Sequence, residues 1–309
     1  MRTLLIFLIT LVLTPSGAYA REDAVTFGFY NLENLFDTIN EPGRYDDDFT
    51  PRGRNKWDTP KYYDKLSALS RAINLFAPDI LGVCEAENRA VLEDLARQPA
   101  LERLGYDVIH YDSPDPRGSD VALIYRRDRI TVLSSEPVTA PGGRATRDIL
   151  RVEASSGELT FSIYIVHLPS RRGNDPAATR QRWQIVEALD RFCEAELSAD
   201  PARCVIVAGD FNDNPDSKML RGIFGSMYNA TAKPFAQGKG SYAWRDVWQM
   251  YDQILVSDNM KSVGKWRLEG DATVINRPEL LQNSGRFASY PAKWKVSDHL
   301  PVMVKFEKK

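Results

Sequence analysis

Residues 205–212 read Val-Ile-Val-Ala-Gly-Asp-Phe-Asn, an apolar run that ends in polar residues. The part from Val205 to Gly209 is short and rich in β-branched residues, which is typical of a buried strand. Asp210 and Asn212 follow it, and polar groups beside a buried strand are costly unless they are paired or bind a ligand. We therefore predict a core strand that brings Asp210 and Asn212 to a functional rim of a sheet.

Polar residues crowd one end of other apolar runs in the same way. They are Glu85 and Glu87 after residues 80–84, His167 after 164–166, Asp298 and His299 before 300–306, and Asp252 just before 254–256. If the strands that end in polar groups run antiparallel to those that begin with them, all these groups meet on one rim. The sequence therefore predicts a single site at the edge of the sheets.

Strands outnumber helices in the rest of the pattern. Asp175 before Pro176 is a capping residue followed by proline at the first helical position, and apolar residues then recur at helical spacing to Leu197. A second helix is predicted to start near Thr59 and Pro60. Strands are predicted at residues 25–30, 80–84, 120–125, 159–166, 204–208, 252–256 and 301–306. This mixture predicts an α/β or α+β protein built on sheet layers.

The composition is that of a folded globular protein. The chain has 309 residues, of which 43% are apolar, with 40 basic and 42 acidic side chains. These values exclude a disordered chain, and the net charge of −2 excludes a general cationic attraction to nucleic acid or anionic lipid. Any affinity for a polyanion therefore has to be local. No repeat, linker or charge block interrupts residues 21–309, so we predict one domain there.

The first 20 residues have the pattern of a signal peptide. Arg2 precedes an apolar run at 4–13, Pro15 follows, and Ala18 and Ala20 stand at the spacing that a signal peptidase accepts. The alternative, a membrane anchor, needs about 20 apolar residues, and this run is about half that length. We predict cleavage after Ala20, a secreted or periplasmic product, and no stable membrane insertion after cleavage.

Three cysteines in an exported chain suggest one disulfide and one remaining thiol. Cys193 lies late in the predicted helix and Cys204 begins the next apolar run, with a turn between them. We expect these two to form a disulfide. Cys84 lies inside a predicted buried strand, and we expect it to be a free, structural cysteine.

The residue types on the predicted rim indicate metal-assisted hydrolysis of phosphoesters. Carboxylate and amide oxygens suit Mg²⁺, Mn²⁺ or Ca²⁺, whereas zinc usually takes cysteine or several histidines. Two of the three histidines, His167 and His299, lie at strand ends, and histidine is the side chain best suited to proton transfer near neutral pH. The sequence lacks HExxH, GxGxxG, GxxxxGK[ST] and GxSxG motifs, which argues against zinc proteases, dinucleotide enzymes, P-loop proteins and serine hydrolases.

Seven short motifs resemble, in order, those of the endonuclease/exonuclease/phosphatase superfamily, which includes deoxyribonuclease I. They are Phe-Tyr-Asn-Leu-Glu-Asn-Leu-Phe at 29–36, Asp-Ile-Leu-Gly-Val-Cys-Glu at 79–85, Asp-Val-Ala-Leu-Ile-Tyr at 120–125, Val-His-Leu-Pro-Ser at 166–170, Gly-Asp-Phe-Asn at 209–212, Tyr-Asp-Gln-Ile-Leu at 251–255 and Ser-Asp-His-Leu-Pro at 297–301. Each motif alone is weak evidence. The seven together occur in the order of the superfamily and span nearly all of the chain after the signal peptide, which makes the resemblance strong.

The resemblance implies a four-layered α/β/β/α sandwich, in which two mixed β-sheets pack face to face between outer helices. It implies that Glu85 is the principal metal ligand. Asn31 would support the metal or the scissile phosphate, and Asp298 would complete the metal side.

The resemblance also implies roles in proton transfer and phosphate binding. His299 would be the base that acts on water, oriented by Asp252. Asp210 and Asn212 would hold the phosphate, the leaving oxygen or a second metal. His167 would protonate the leaving group or bind phosphate.

Arginines offer further phosphate contacts. Arg147 resembles a phosphate-contacting arginine of deoxyribonuclease-like members, although a solvated loop residue would look the same. Arg171 and Arg172 could line a groove for a nucleic-acid backbone or lie in a solvated loop. Asp120 could orient His167 or simply begin a strand.

The leading interpretation is an exported, divalent-metal-dependent phosphodiesterase, an endonuclease that acts on DNA or else on RNA. The alternative enzyme is a phosphatase or phosphodiesterase for small, inositol or lipid-linked phosphate esters, because fold and catalytic set do not choose the substrate. A catalytically silent binding protein on the same fold is the alternative from another class.

Overall fold

The structure is a computed structural model that describes residues 23–171, 173, 175–262, 265–283 and 289–309. The predicted signal peptide at 1–20 and its cleavage after Ala20 lie outside these residues and stay predictions. Within the described ranges, no helix is long and apolar enough to cross a bilayer.

Fifteen strands and six α-helices make up the regular structure of the described residues. The strands are β1 (Ala24–Leu35), β2 (Ile80–Ala86), β3 (Tyr106–His110), β4 (Asp120–Arg126), β5 (Thr131–Val138), β6 (Ile149–Ser156), β7 (Leu159–His167), β8 (Cys204–Asp210), β9 (Met227–Asn229), β10 (Tyr242–Trp244), β11 (Val247–Gln249), β12 (Asp252–Ser257), β13 (Trp266–Leu268), β14 (Thr273–Val274) and β15 (Val302–Lys308). The helices are α1 (Thr59–Asn74), α2 (Arg89–Ala96), α3 (Pro176–Ala199), α4 (Lys218–Arg221), α5 (Ala232–Ala236) and α6 (Asn259–Ser262).

The strands form two large mixed sheets. The first has the order β13-β15-β1-β2-β4-β3, with β14 paired to β15, and the second has the order β5-β6-β7-β8-β12-β9. Each sheet contains one parallel pair, β1 with β2 and β7 with β8, while its other pairs are antiparallel. Strands β10 and β11 form a separate hairpin.

The core lies in three layers between and outside the sheets. Phe29 of the first sheet and Ile206 of the second share a cluster between the two sheets. Helices α1 and α2 cover the outer face of the first sheet, while α3 and α4 cover that of the second. The predicted four-layered α/β/β/α sandwich is confirmed.

Both predicted helix starts are confirmed by their caps. The Asp58 side chain accepts a hydrogen bond from the Lys61 N–H at the start of α1, and Pro60 occupies its first turn. The Asp175 side chain accepts one from the Ala177 N–H at the start of α3, which begins at Pro176. These side chains accept from backbone N–H groups that have no partner within the helix.

The expected disulfide between Cys193 and Cys204 is wrong. Both residues are free and buried, as is Cys84, whose predicted structural role fits its place in β2. Cys193 packs in the layer between α3 and the second sheet, whereas Cys204 packs in the layer between the two sheets. Successive side chains of a strand point to opposite faces, so Val205 faces α3 while Cys204 points away from it.

Candidate active site

Three predicted site residues come together at the rim of the second sheet. Strand β7 ends at His167, which pairs in register with Asp210 at the end of the parallel strand β8. Strand β12 runs antiparallel to β8, so its first residue, Asp252, lies opposite Asp210. The antiparallel arrangement predicted from the sequence therefore brings strand ends and strand starts to one edge.

Asn31 joins the two sheets at this rim. Its Nδ2 atom donates to Glu85 Oε1 at 3.3 Å and to Asp210 Oδ2 at 3.1 Å. Its Oδ1 atom accepts from the Glu33 N–H at 2.9 Å, which turns the amide NH₂ toward the two carboxylates. In this orientation Asn31 bridges Glu85 and Asp210.

Several residues at this rim have an unusual backbone conformation that sets the direction of their side chains. Glu33, Asn34, Glu85 and Asn212 all have positive φ, between 47° and 64°. The pairing of β1 with β2 shifts register between Asn31 and Leu35, and that of β2 with β4 shifts at Glu85. Bulges and positive φ of this kind occur where a side chain is re-aimed near a functional site. The Asn34 N–H donates to Glu85 Oε2 at 3.0 Å, which fixes the re-aimed carboxylate.

His299 lies between the carboxylates of the second sheet. Its Nδ1 atom is 2.6 Å from Asp252 Oδ2, and its Nε2 atom is 3.9 Å from both Asp210 Oδ2 and Asp298 Oδ1. Burial lowers the pKa of His299, but Asp252, Asp210 and Asp298 together raise that pKa well above 6.5. The contact with Asp252 fits the predicted pairing of a base with an orienting acid.

The surroundings of His167 are positively charged, in contrast to the carboxylates around His299. Arg147 Nη2 lies 3.1 Å and 3.0 Å from its two ring nitrogens, and Asp115 lies 3.5 Å from Arg147 Nη1. Burial, followed by Arg147 and Arg117, lowers the pKa of His167 well below 6.5. A neutral imidazole beside an arginine is better suited to binding a phosphate oxygen than to donating a proton.

The donor atoms present fit a divalent cation. Ligand atoms of Asp210, Asp252 and His299 lie within 4.8 Å of one another. Asp252 Oδ1 is buried and has no hydrogen-bond partner among the described residues, while the Glu85 side chain remains 17% exposed. Burial raises the pKa of Asp210 to about 6, with His299 opposing the rise and Asp252 adding to it. Such crowded carboxylates are stabilised by a cation, and oxygen ligands suit Mg²⁺, Mn²⁺ or Ca²⁺.

Of the two alternatives for Asp120, the structure supports the start of a strand, since β4 begins there, and the Asp120 carboxylate contacts His110 rather than His167. Its carboxylate accepts from the Ser113 hydroxyl and backbone N–H and lies 3.1 Å from Nε2 of His110. Asp120 and His110 are cross-strand neighbours near the paired ends of β4 and β3, which explains the contact.

The other predicted residues line the cleft at different depths. Asn212 donates through Nδ2 to the Leu168 carbonyl at 3.0 Å, and its N–H donates to Asp210 Oδ1 at 2.7 Å. Arg171 is 63% exposed and pairs with Asp213 at 2.9 Å. Asp298 is 24% exposed. Arg172 lies outside the described residues.

The cleft has a volume of about 940 Å³ and contains residues that the sequence did not single out. Tyr242 packs on His299 with ring centroids 4.9 Å apart, and Trp244 follows on the β10–β11 hairpin. A signal for this hairpin was present in the alternating aromatic residues on either side of Arg245-Asp246, both of which have positive φ. Cationic side chains also line the cleft: Arg54, Arg117, Arg144, Arg147, Arg171 and Lys293.

Solved structures share this fold at low sequence identity. Zebrafish (D. rerio) TDP2 complexed with a single-strand DNA product is 16% identical, with a TM-score of 0.64, over 92% of this chain and 99% of that one. The human Nocturnin catalytic domain with bound sulfate is 17% identical, with a TM-score of 0.62, over 93% and 95%. An endonuclease/exonuclease/phosphatase protein from Bacteroides vulgatus is 16% identical, with a TM-score of 0.61, over 93% and 99%.

No curated protein matches the sequence. The family model described as Endonuclease/Exonuclease/phosphatase family matches residues 26–308, which is nearly all of the described chain. Members of this superfamily are generally metal-dependent hydrolases of phosphoric esters. With its paired sheets, its acidic rim and this match, the chain belongs to the endonuclease/exonuclease/phosphatase family.

Proposed function

We propose that this protein is an exported, divalent-metal-dependent phosphodiesterase that cleaves nucleic acid, with DNA as its main substrate. The observation that carries the proposal is the position of His299. Its Nδ1 atom is held by Asp252 at 2.6 Å, and its Nε2 atom is directed to the side where Asp210 and Asp298 lie. A held imidazole with one free nitrogen beside a cation-binding set is the arrangement that hydrolysis by water needs.

Each group has a distinct part in the proposed reaction. Glu85, Asp210 and Asp298 would hold the cation; Asp210 belongs to the close group with Asp252 and His299, and Asn31 bridges Asp210 to Glu85. A bound divalent cation would stabilise the negative charge that builds up on the phosphate oxygens during the reaction. His299 Nε2 would accept the proton of the attacking water, and Asp252 would stabilise the resulting imidazolium. Neutral His167 and Arg147 would bind a non-bridging phosphate oxygen.

The size and charge of the cleft favour a polynucleotide over a small ester. Six cationic side chains lie along the cleft among seven acidic ones, and a metal bound at the rim would offset part of that negative charge. A phosphomonoester would occupy only the metal site and would need few remote cations, whereas a strand presents several phosphates. The complex of zebrafish TDP2 with a single-strand DNA product supports a nucleic-acid substrate at this fold.

The test is a substrate panel on the mature protein. Single-stranded DNA, plasmid DNA, RNA, a small phosphodiester and sphingomyelin are incubated with Mg²⁺, Mn²⁺, Ca²⁺ or EDTA, and His299→Ala is the matched control. We expect metal-dependent cleavage of DNA that EDTA and His299→Ala both abolish. Cleavage of sphingomyelin or of the small ester without cleavage of DNA or RNA would support the phosphatase or lipid alternative instead. Metal binding without turnover on any substrate would support the binding-protein alternative.

Export has its own test, because the leader lies outside the described residues. Mass spectrometry of the protein recovered from the periplasm or medium should find Arg21 at the N-terminus. A chain that keeps residues 1–20 and stays in the membrane fraction would contradict the proposal of export.

A further inference from the structure

Trp294 is a strained, exposed aromatic residue at the mouth of the cleft. Its φ is 63°, in the left-handed region, and its side chain is 49% exposed. For a large aromatic residue this backbone conformation is unfavourable and persists only where the surroundings impose it. Because Trp294 keeps this unfavourable conformation while its side chain is exposed in the cleft, we expect the indole to contact a ligand.

A buried ion pair imposes this conformation. Glu33 Oε2 accepts a hydrogen bond from the Trp294 N–H at 2.7 Å, and Lys65 Nζ lies 3.7 Å from the same oxygen. Lys65 Nζ also donates to the Val296 carbonyl at 2.6 Å, so the pair holds the loop at two points. Glu33 and Lys65 side chains are each 2% exposed. Burying two charges is unfavourable unless they are well paired, and here their hydrogen bonds are used to hold the loop.

The loop places the indole in the cleft that contains the reacting groups. Trp294 lines the same cleft as Glu85, Asp298 and His299. Lys293 Nζ lies 5.7 Å from the centroid of the Trp294 ring and 3.9 Å from Asp298 Oδ2. A flat π surface and a cation therefore stand together next to the proposed metal side.

We propose that Trp294 is a stacking platform for an unpaired nucleobase next to the scissile phosphate, so that the protein takes single-stranded or frayed nucleic acid. The inference rests on the proposed function and specifies the substrate class. Bases inside a duplex are stacked on each other and offer no free face, whereas an unpaired base can stack on an indole. Stacking does not depend on the base, so this subsite confers preference for single strands without sequence preference.

Two probes of equal charge separate stacking from phosphate binding. One is a fluorescein-labelled oligothymidylate of about ten nucleotides, a length within the usual footprint of a single-strand site. The other is an abasic oligomer with the same number of phosphates. Dissociation constants are measured by fluorescence anisotropy in EDTA, so that no cleavage occurs. Tyr63→Ala is the matched control, because Tyr63 is 52% exposed on α1 and does not line the cleft.

We expect Trp294→Ala to weaken binding of the oligothymidylate by about 5- to 150-fold, the range measured for one base on one aromatic side chain. Binding of the abasic oligomer should not change, Trp294→Phe should keep most of the affinity, and Tyr63→Ala should keep all of it. Equal losses on both probes, no loss on either, or no binding of the oligothymidylate by the wild-type protein would overturn the inference.

The outcome also separates this inference from the proposed activity. If the wild-type protein binds the oligothymidylate through Trp294 but cleaves no nucleic acid with Mg²⁺, the subsite stands and the proposed activity fails. If DNA is cleaved and Trp294→Ala binds the oligothymidylate normally, the activity stands and the stacking platform is overturned.

Discussion

Asp210 and Asp252 face each other across the antiparallel pair of β8 and β12, and each approaches a different nitrogen of His299. Asp252 Oδ2 is 2.6 Å from Nδ1, whereas Asp210 Oδ2 is 3.9 Å from Nε2. Because the cross-strand register fixes both carboxylates, the imidazole is held in one orientation. The same two charges explain why the pKa of His299 lies well above 6.5 although the ring is buried.

The first prediction concerns Glu85, the proposed metal ligand, and His299, the proposed base. Glu85→Gln and His299→Ala should each reduce kcat/KM on DNA severely, by about 10² to 10⁴-fold for loss of the base. Both variants should keep the wild-type circular dichroism spectrum, since these side chains lie at the rim and outside the core clusters. Turnover that survives His299→Ala would remove His299 from the mechanism, and unfolding of either variant would assign that side chain a structural role.

The second prediction concerns the acid limb of the pH profile. His299 must be unprotonated to accept a proton, so kcat/KM should fall as the pH drops below the pKa of this residue, which is raised above 6.5. Asp252→Asn removes the largest influence that raises the pKa of His299, so the acid limb should move to lower pH while the maximal rate falls. The measurement is kcat/KM against pH at fixed metal concentration. An acid limb that stays in place in Asp252→Asn would contradict the assignment.

The third prediction concerns stability and Glu87. Burial raises the pKa of Glu87 to about 8, and only one of its oxygens has a partner among the described residues, the Asp37 N–H. Between pH 4.5 and about 8 the folded protein keeps a proton that the unfolded chain has lost, so stability falls as the pH rises through this window. Each pH unit there costs at most about 1.4 kcal/mol.

Glu87→Gln should flatten this decline, because an amide does not titrate. Urea unfolding in EDTA at pH 5 and pH 9 measures the difference for both proteins. Identical losses of unfolding free energy in the wild-type protein and in Glu87→Gln would show that other groups cause the pH dependence.

The fourth prediction concerns Arg171, which is exposed on the cleft and paired with Asp213. Arg171→Glu should weaken DNA binding and reduce the slope of log affinity against log salt by about 0.7 for a single strand, or about 0.9 for a duplex, per lost phosphate contact. Arg97→Glu is the matched control, since Arg97 is 70% exposed at the C-terminal cap of α2 and does not line the cleft. A salt slope that Arg171→Glu leaves unchanged would show that Arg171 does not contact the strand.

The rim could be predicted from the sequence because it depends on strand ends. Asp210, Asp252 and His299 each stand next to a continuous apolar run, and the periodicity of strands then places them on one edge. The two helix starts could also be predicted, since Asp58 and Asp175 act on backbone only a few residues away.

Contacts that depend on packing between distant elements could not be predicted. The Glu33 carboxylate and the Trp294 N–H are 261 positions apart, and neither motif suggests the other. The sequence leaves Asp120 open between orienting His167 and beginning a strand, and only the pairing of β3 with β4 places its carboxylate beside His110. Cys193 and Cys204 are close in sequence, and the face of β8 on which Cys204 lies decides that they do not meet.

The hydroxyl of Ser297 connects the first strand of the described chain to the segment before its last strand, at the centre of the site. It donates to the Asn31 carbonyl at 2.7 Å, across 266 positions, and accepts the His299 N–H at 3.0 Å. The first strand of the described chain and the segment before its last strand must therefore meet before the base can face the carboxylates. A growing chain on the ribosome therefore has no working site until Ser297 and His299 have emerged and β15 has paired with β1.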